Sequence, residues 1–292
     1  MKKMLLAGVL LAGMAVVIGV WVVSHADGSP PGTVGGAWEA IHHAADDGDV
    51  EKVRQLLDQG EDVNRRTKHG WTPLHLAAKK NRLDVAALLI DRGADLNIVG
   101  WGATPLQDAA FQNHGAMGEL LRERGATVDA SSAAGFGWMD ELVVLLDQQP
   151  DLLEPCPDER RGRVCCPCLL HAAARGGQAE AVRLLLDRGA PVNVPDERGR
   201  TSLHFAAEHN RPEVITLLVQ AGHEVDVSGR GVVPPLYGAA GKGHVAAVRA
   251  LLEHGADPAK LTASGTAMDI ARRRGHAEVV QVLEAWANQS QP

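Results

Sequence analysis

Apolar positions in this chain follow one recurring pattern. A short run of small and branched apolar residues, such as Leu74, Ala77 and Ala78, gives way to a polar break at Asn81. A leucine-rich run then follows with Val85, Leu88, Leu89 and Ile90 at helical spacing. A turn-rich polar stretch precedes the next copy. Each copy therefore predicts two helices and an extended finger, with too little apolar surface to fold alone. Eight copies are legible, opening at Glu39, Thr72, Thr104, Val128, Cys168, Thr201, Pro234 and Thr266. Each closes 21 residues later, usually at a glycine such as Gly93, which supplies the positive φ that stops a helix. Successive openings are 33, 32, 24, 40, 33, 33 and 32 residues apart. The fourth copy, Val128 to Gln149, lacks its finger, and the connection after it, 150–167, is expanded.

The openings share chemistry. Thr72-Pro73-Leu74-His75 returns as Thr104-Pro105-Leu106 and Thr201-Ser202-Leu203-His204, and more loosely as Cys168-Leu169-Leu170-His171 and Pro234-Pro235-Leu236-Tyr237. The threonine is placed to cap a first turn, and proline fits where its missing N–H costs nothing. With "TPLHLAA" at 72–78, "SLHFAA" at 202–207, and "DRGADLN" and "DRGAPVN" at 91–97 and 187–193, the chain resembles ankyrin-repeat proteins over residues 38–287. The resemblance implies an all-α solenoid of about eight helix-turn-helix repeats with β-turn fingers. The final helix, rich in polar residues, reads as a C-terminal cap, and 288–292 as a tail.

Residues 4–23 are an uninterrupted apolar stretch behind Lys2-Lys3. Their length favours one N-terminal membrane-spanning helix, with Trp21 as an interfacial anchor, and the lysines favour an inside N-terminus. The alternative is a signal peptide cleaved near Ala26, after Ser24-His25. Either reading gives an exported or membrane-anchored, bacterial-like protein with its repeats facing the periplasm. Residues 27–37, rich in glycine and proline, form a linker.

All four cysteines, Cys156, Cys165, Cys166 and Cys168, fall in or beside the long connection. In an oxidising compartment clustered cysteines are most simply disulfides, and a bond from Cys156 to Cys165 or Cys166 avoids the strain of a vicinal pair. Free thiols, or a metal or redox site in the insertion, are the alternatives.

Histidines His42, His75, His171 and His204 share one slot, filled elsewhere by Gln107, Tyr237 and Asp269. Repetition argues for a structural imidazole bonded within its own tetrad. His42-His43 with Asp46, Asp47 and Asp49 has a metal-like composition, against a simpler reading as a first helix and solvated acidic loop. No nucleophile elbow, phosphate loop or zinc-protease motif occurs, so enzyme activity has no support and no cofactor is implied.

What remains is surface. By resemblance, a partner is gripped by finger tips and the exposed ends of first helices. Those slots hold Lys68, Lys79, Lys80, Arg175, Arg198, Arg200, Arg230, Lys242, Arg273 and Arg274 against Asp46, Asp47, Glu197 and Glu208. Ten cations over four carboxylates is a surplus of six, in a chain whose net charge is −7. The same slots hold Trp38, Trp71, Trp101, Phe111 and Phe136, half of the chain's ten aromatics. Exposed Trp and Arg dominate interface energies. These features predict a monomeric, non-catalytic scaffold that binds an acidic protein, steered by charge. A membrane-tethered organiser that clusters several membrane proteins is the second reading. Nucleic acid is not an expected partner.

Overall fold

A computed structural model describes residues 39–153, 169–196, 198–228 and 231–289. These residues form sixteen α-helices in eight pairs, each pair joined by a turn of two or three residues. The first three pairs are α1 (Ala40–Asp47) with α2 (Val50–Asp58), α3 (Pro73–Lys79) with α4 (Leu83–Asp91), and α5 (Pro105–Gln112) with α6 (Gly115–Glu123). Next come α7 (Ala130–Phe136) with α8 (Met139–Gln148), α9 (Leu169–Gly176) with α10 (Ala179–Asp187), and α11 (Ser202–Glu208) with α12 (Pro212–Gln220). The last are α13 (Pro235–Lys242) with α14 (Val245–Glu253) and α15 (Ala267–Arg274) with α16 (Ala277–Gln289). First helices pack on first helices, and second on second, down the row.

Stacking supplies the core. A column of one leucine per unit (Leu56, Leu89, Leu121, Leu146, Leu185, Leu218, Leu251 and Leu283) lies buried between second helices. Each such leucine contributes about 1.5–3 kcal/mol, and none could be buried by its own unit alone. First helices carry alanines at the matching places: Ala77, Ala78, Ala109, Ala173, Ala206 and Ala239 are sealed from water. Small side chains let those helices approach closely.

Unit four corrects the sequence reading by one residue. Its N-cap is Asp129, not Val128: Asp129 is extended, and its carboxylate accepts from the amides of Ser131 and Ser132. An aspartate thus does the capping that threonine does elsewhere. The finger before it is short, and first helices close up there. The α9 helix packs on α7 and also reaches α5, two units away. The backbone of Gly176 lies against the carbonyl of Gly135, where a Cβ would overlap the oxygen. Gly118 likewise faces the Phe136 ring.

The insertion opens with a 3-10 turn, Pro150–Leu153, whose Leu152 and Leu153 pack onto the core. Its remainder, with Cys156, Cys165, Cys166 and Cys168, lies outside the described residues, as do the apolar stretch 4–23, the linker and Trp38. Among the described residues no helix is long and apolar enough to cross a membrane. At the other end α16 runs to Gln289, two residues past the expected boundary, with Trp286 packed on the array.

Candidate protein-binding face

The histidine slot is built from two ends. Thr72 N–H donates to His75 Nδ1 at 3.1 Å, so the ring proton sits on Nε2, which donates to the Ala103 carbonyl at 3.1 Å. His204 repeats this with Thr201 and Val233. His42 and His171 likewise reach the carbonyls of Arg65 and Val194. Each imidazole therefore ties its helix start to the following finger, a longer reach than the expected bond within the tetrad. Burial holds His75 and His204 down to about 4, and it lowers His42 and His171 as well. His42 also accepts from the Glu39 amide, so both its nitrogens are engaged and neither serves the metal reading. Among the described residues no group of three His, Cys, Asp or Glu side chains is placed to hold a metal ion.

A second slot, ten residues after each opening, went unread in the sequence. Arg82 and Arg211 donate through Nε to the carbonyls of Asp46 and Arg175. His114, His244 and His276 donate through Nε2 to the carbonyls of Lys79, Glu208 and Gly241. Each closes the open C-terminal end of the first helix one unit back. Aligning the eight copies puts Arg or His in that column five times, which is the signal that could have revealed it.

Finger tips carry the aromatic cluster. Gly100 pairs with Ala103 across a tight turn whose central residues, Trp101 (φ 47°) and Gly102 (φ 85°), both have positive φ. That is the type I′ signature, a place for Asn-Gly; a bulky residue there is strained. The Trp101 ring stacks on His69 at 4.5 Å and leans on Trp71 at 5.5 Å, yet it remains 42% exposed. Lys79 Nζ sits 4.3 Å above the Trp71 ring. Phe111, at the end of α5, is 52% exposed. Phe136, by contrast, turns inward beside Trp138.

The cations are distributed differently from the sequence expectation. Lys68 and Arg198 are exposed. Lys80 pairs with Asp46 at 3.8 Å, Lys242 with Glu208 at 3.3 Å, and Arg200 with Asp196 at 2.9 Å. Arg273 reaches the Tyr237 hydroxyl, and Arg274 the Gly241 carbonyl. Arg175, expected on the surface, is buried at 8% exposure, because the missing finger of unit four brings α9 up to α5. Asp108, absent from the sequence tally, adds a carboxyl whose Oδ2 is enclosed without a hydrogen-bond partner; burial raises it to about 7, with Lys79 opposing. Arg230 and Glu197 lie outside the described residues. Of these cations, Lys80, Arg200 and Lys242 are thus held in internal ion pairs and Arg175 is buried.

Comparison with known proteins agrees with this architecture. Family models described as "Ankyrin repeats (3 copies)" match residues 23–100, 41–132 and 133–229, and one described as "Ankyrin repeats (many copies)" matches 236–284. The chain is 38% identical to human "Ankyrin repeat domain-containing protein 63" over 36% of this chain and 29% of that protein. It is 39% identical to "Palmitoyltransferase Hip14" of Drosophila melanogaster over 32% of this chain and 15% of that protein. With the mouse "B-cell lymphoma 3 protein homolog" it shares 34% identity over 41% of this chain and 27% of that protein. The matches thus span less than a third of these relatives. The human ASB11 ankyrin repeat domain covers 87% of this chain and 99% of its own, at 24% identity and a TM-score of 0.43.

Proposed function

Because this chain belongs to the ankyrin-repeat family, we propose that it is a non-catalytic scaffold that holds a protein partner on its finger tips and first-helix ends. Trp101 carries this reading. A strained backbone that places an indole at an exposed tip, where asparagine would fit the turn, points to a contact role for that ring.

The partner is acidic, and the monomeric scaffold meets it through the exposed cations Lys68 and Arg198, with the half-buried Lys79 above Trp71. Electrostatic steering of this kind predicts an association rate that falls with salt. We place the repeats outside the cytoplasm, behind residues 4–23 as an anchor or after cleavage near Ala26. The apolar run behind Lys2-Lys3 supports that placement. N-terminal sequencing of the mature protein, with protease protection of intact cells, tests it; repeats shielded by the cytoplasmic membrane would refute it.

Trp101→Asn is the decisive variant for binding. It suits a type I′ turn, so melting is expected to hold within a few degrees while capture of the partner from native extract is lost. Full capture by a well-folded Trp101→Asn protein would remove the finger tips as the site.

A further inference from the structure

Two guanidiniums, those of Arg175 and Arg200, lie against the Phe205 ring, and Lys242 and Glu208 stand near the adjacent His209. Arg200 is bound to Asp196 through Nε and Nη2, both to Oδ2, and Lys242 holds Glu208. Arg175 is the remaining cation. Among the described residues no carboxylate stands within ion-pair distance of it. Its one described hydrogen bond runs from Nη1 to the Phe111 carbonyl at 2.8 Å, and Nε is enclosed without an acceptor. A guanidinium has five N–H donors, so this one is under-satisfied. The nearby His209 adds no charge, since burial and then Arg175 itself hold it down to about 4.

Two aromatic rings lie against this guanidinium. Its carbon lies 3.4 Å from the Phe111 ring centroid and 5.1 Å from that of Phe205. With Nη1 bonded to Phe111 and Nε enclosed, Nη2 is the nitrogen left to a partner. A carboxylate oxygen suits that donor, since a charge-assisted bond is stronger than a neutral one and a buried charge with no counter-ion among the described residues favours such a partner. The half-exposed Phe111 ring beside it offers apolar contact.

We infer that Arg175, framed by Phe111 and Phe205, is the anchor for a single Asp or Glu side chain of the bound protein, seated next to an apolar residue. This deepens the scaffold reading and rests on it. Recognition of an acidic partner is then concentrated at one ion pair, and the solvated cations Lys68 and Arg198 only steer.

The test selects peptides from a random linear display library on the purified full chain, then makes each selected peptide with its carboxylate side chain replaced by the amide. Selected peptides are expected to share an acidic residue beside an apolar one, and the amide form to bind at least about tenfold more weakly. Arg175→Lys is expected to weaken the acidic peptide equally and the amide peptide hardly at all. Should Arg175→Lys fail to melt cooperatively, Phe111→Ala, which removes an exposed ring, takes its place in the same cycle. Peptides that respond to Trp101→Asn yet bind equally as amides overturn this inference and leave the scaffold reading standing. A selection yielding nothing sensitive to Trp101→Asn or Phe111→Ala overturns both.

Discussion

Gly176 lies so close to the Gly135 carbonyl that no other residue fits between the two first helices. The contact sits where the finger of unit four is missing and α9 reaches back to α5. It gives the clearest prediction about stability. Gly176→Ala forces backbone apart in a packed layer and is expected to cost about 3 kcal/mol or more. Gly115→Ala is the control: it opens α6 with nothing within 4 Å of an added Cβ, and should stabilise by up to about 1 kcal/mol. Urea midpoints of the two variants check this; equal effects would contradict the close approach.

Acid should loosen the array. His75 and His204 are held down to about 4 by burial, below the ordinary 6.5. The folded state then binds fewer protons than the unfolded one over that interval. Their contribution is complete above pH 6.5 and is lost as pH falls towards 4, on the order of 3 kcal/mol for each ring. Gln107 makes the same bond to Thr104 N–H in unit three, so His75→Gln is expected to fold and to flatten part of the pH dependence. Parallel denaturation curves for parent and variant across this range would argue against it.

Asp108 behaves oppositely. Its carboxyl is raised to about 7 by burial, so the folded state binds the extra proton and stability falls as pH rises from about 4 towards 7. Asp108→Asn removes that penalty. At pH above about 7 it should stabilise by about 1–2 kcal/mol, and near pH 4 much less, as thermal melts at both ends will show.

The outer ladder should matter little. Arg92 with Asp58, Arg124 with Asp91 and Arg188 with Asp147 join neighbouring second helices at 2.7–2.8 Å, with all six side chains at least one-third exposed. Each Arg→Ala change is expected to cost under about 1 kcal/mol, with losses adding when combined. Chemical denaturation of the triple variant provides the measurement, and a loss well above about 3 kcal/mol would show that the ladder acts as a network.

Some of the candidate site was legible in residue order. Trp101 and Phe111 were both expected at the surface, and both are exposed. Residue order could not reveal the left-handed turn that carries Trp101, because Trp-Gly is not a usual signal for it. The reach of His75 to Ala103 was missed for a related reason: the partner is a backbone carbonyl 28 residues away, which has no side-chain signature. Arg175 was misplaced because its exposure depends on α5, a helix two units back.

The 33-residue period, the eight units and the leucine column are local facts of spacing, and spacing alone prescribed helix pairs that must stack. How neighbours meet where the period breaks was a tertiary matter. The shortened finger let first helices close on a glycine pair, moved the N-cap to Asp129 and pulled a charged side chain against two rings. Burial and charge pairing depend on residues far away in the chain, so only the assembled stack could assign them.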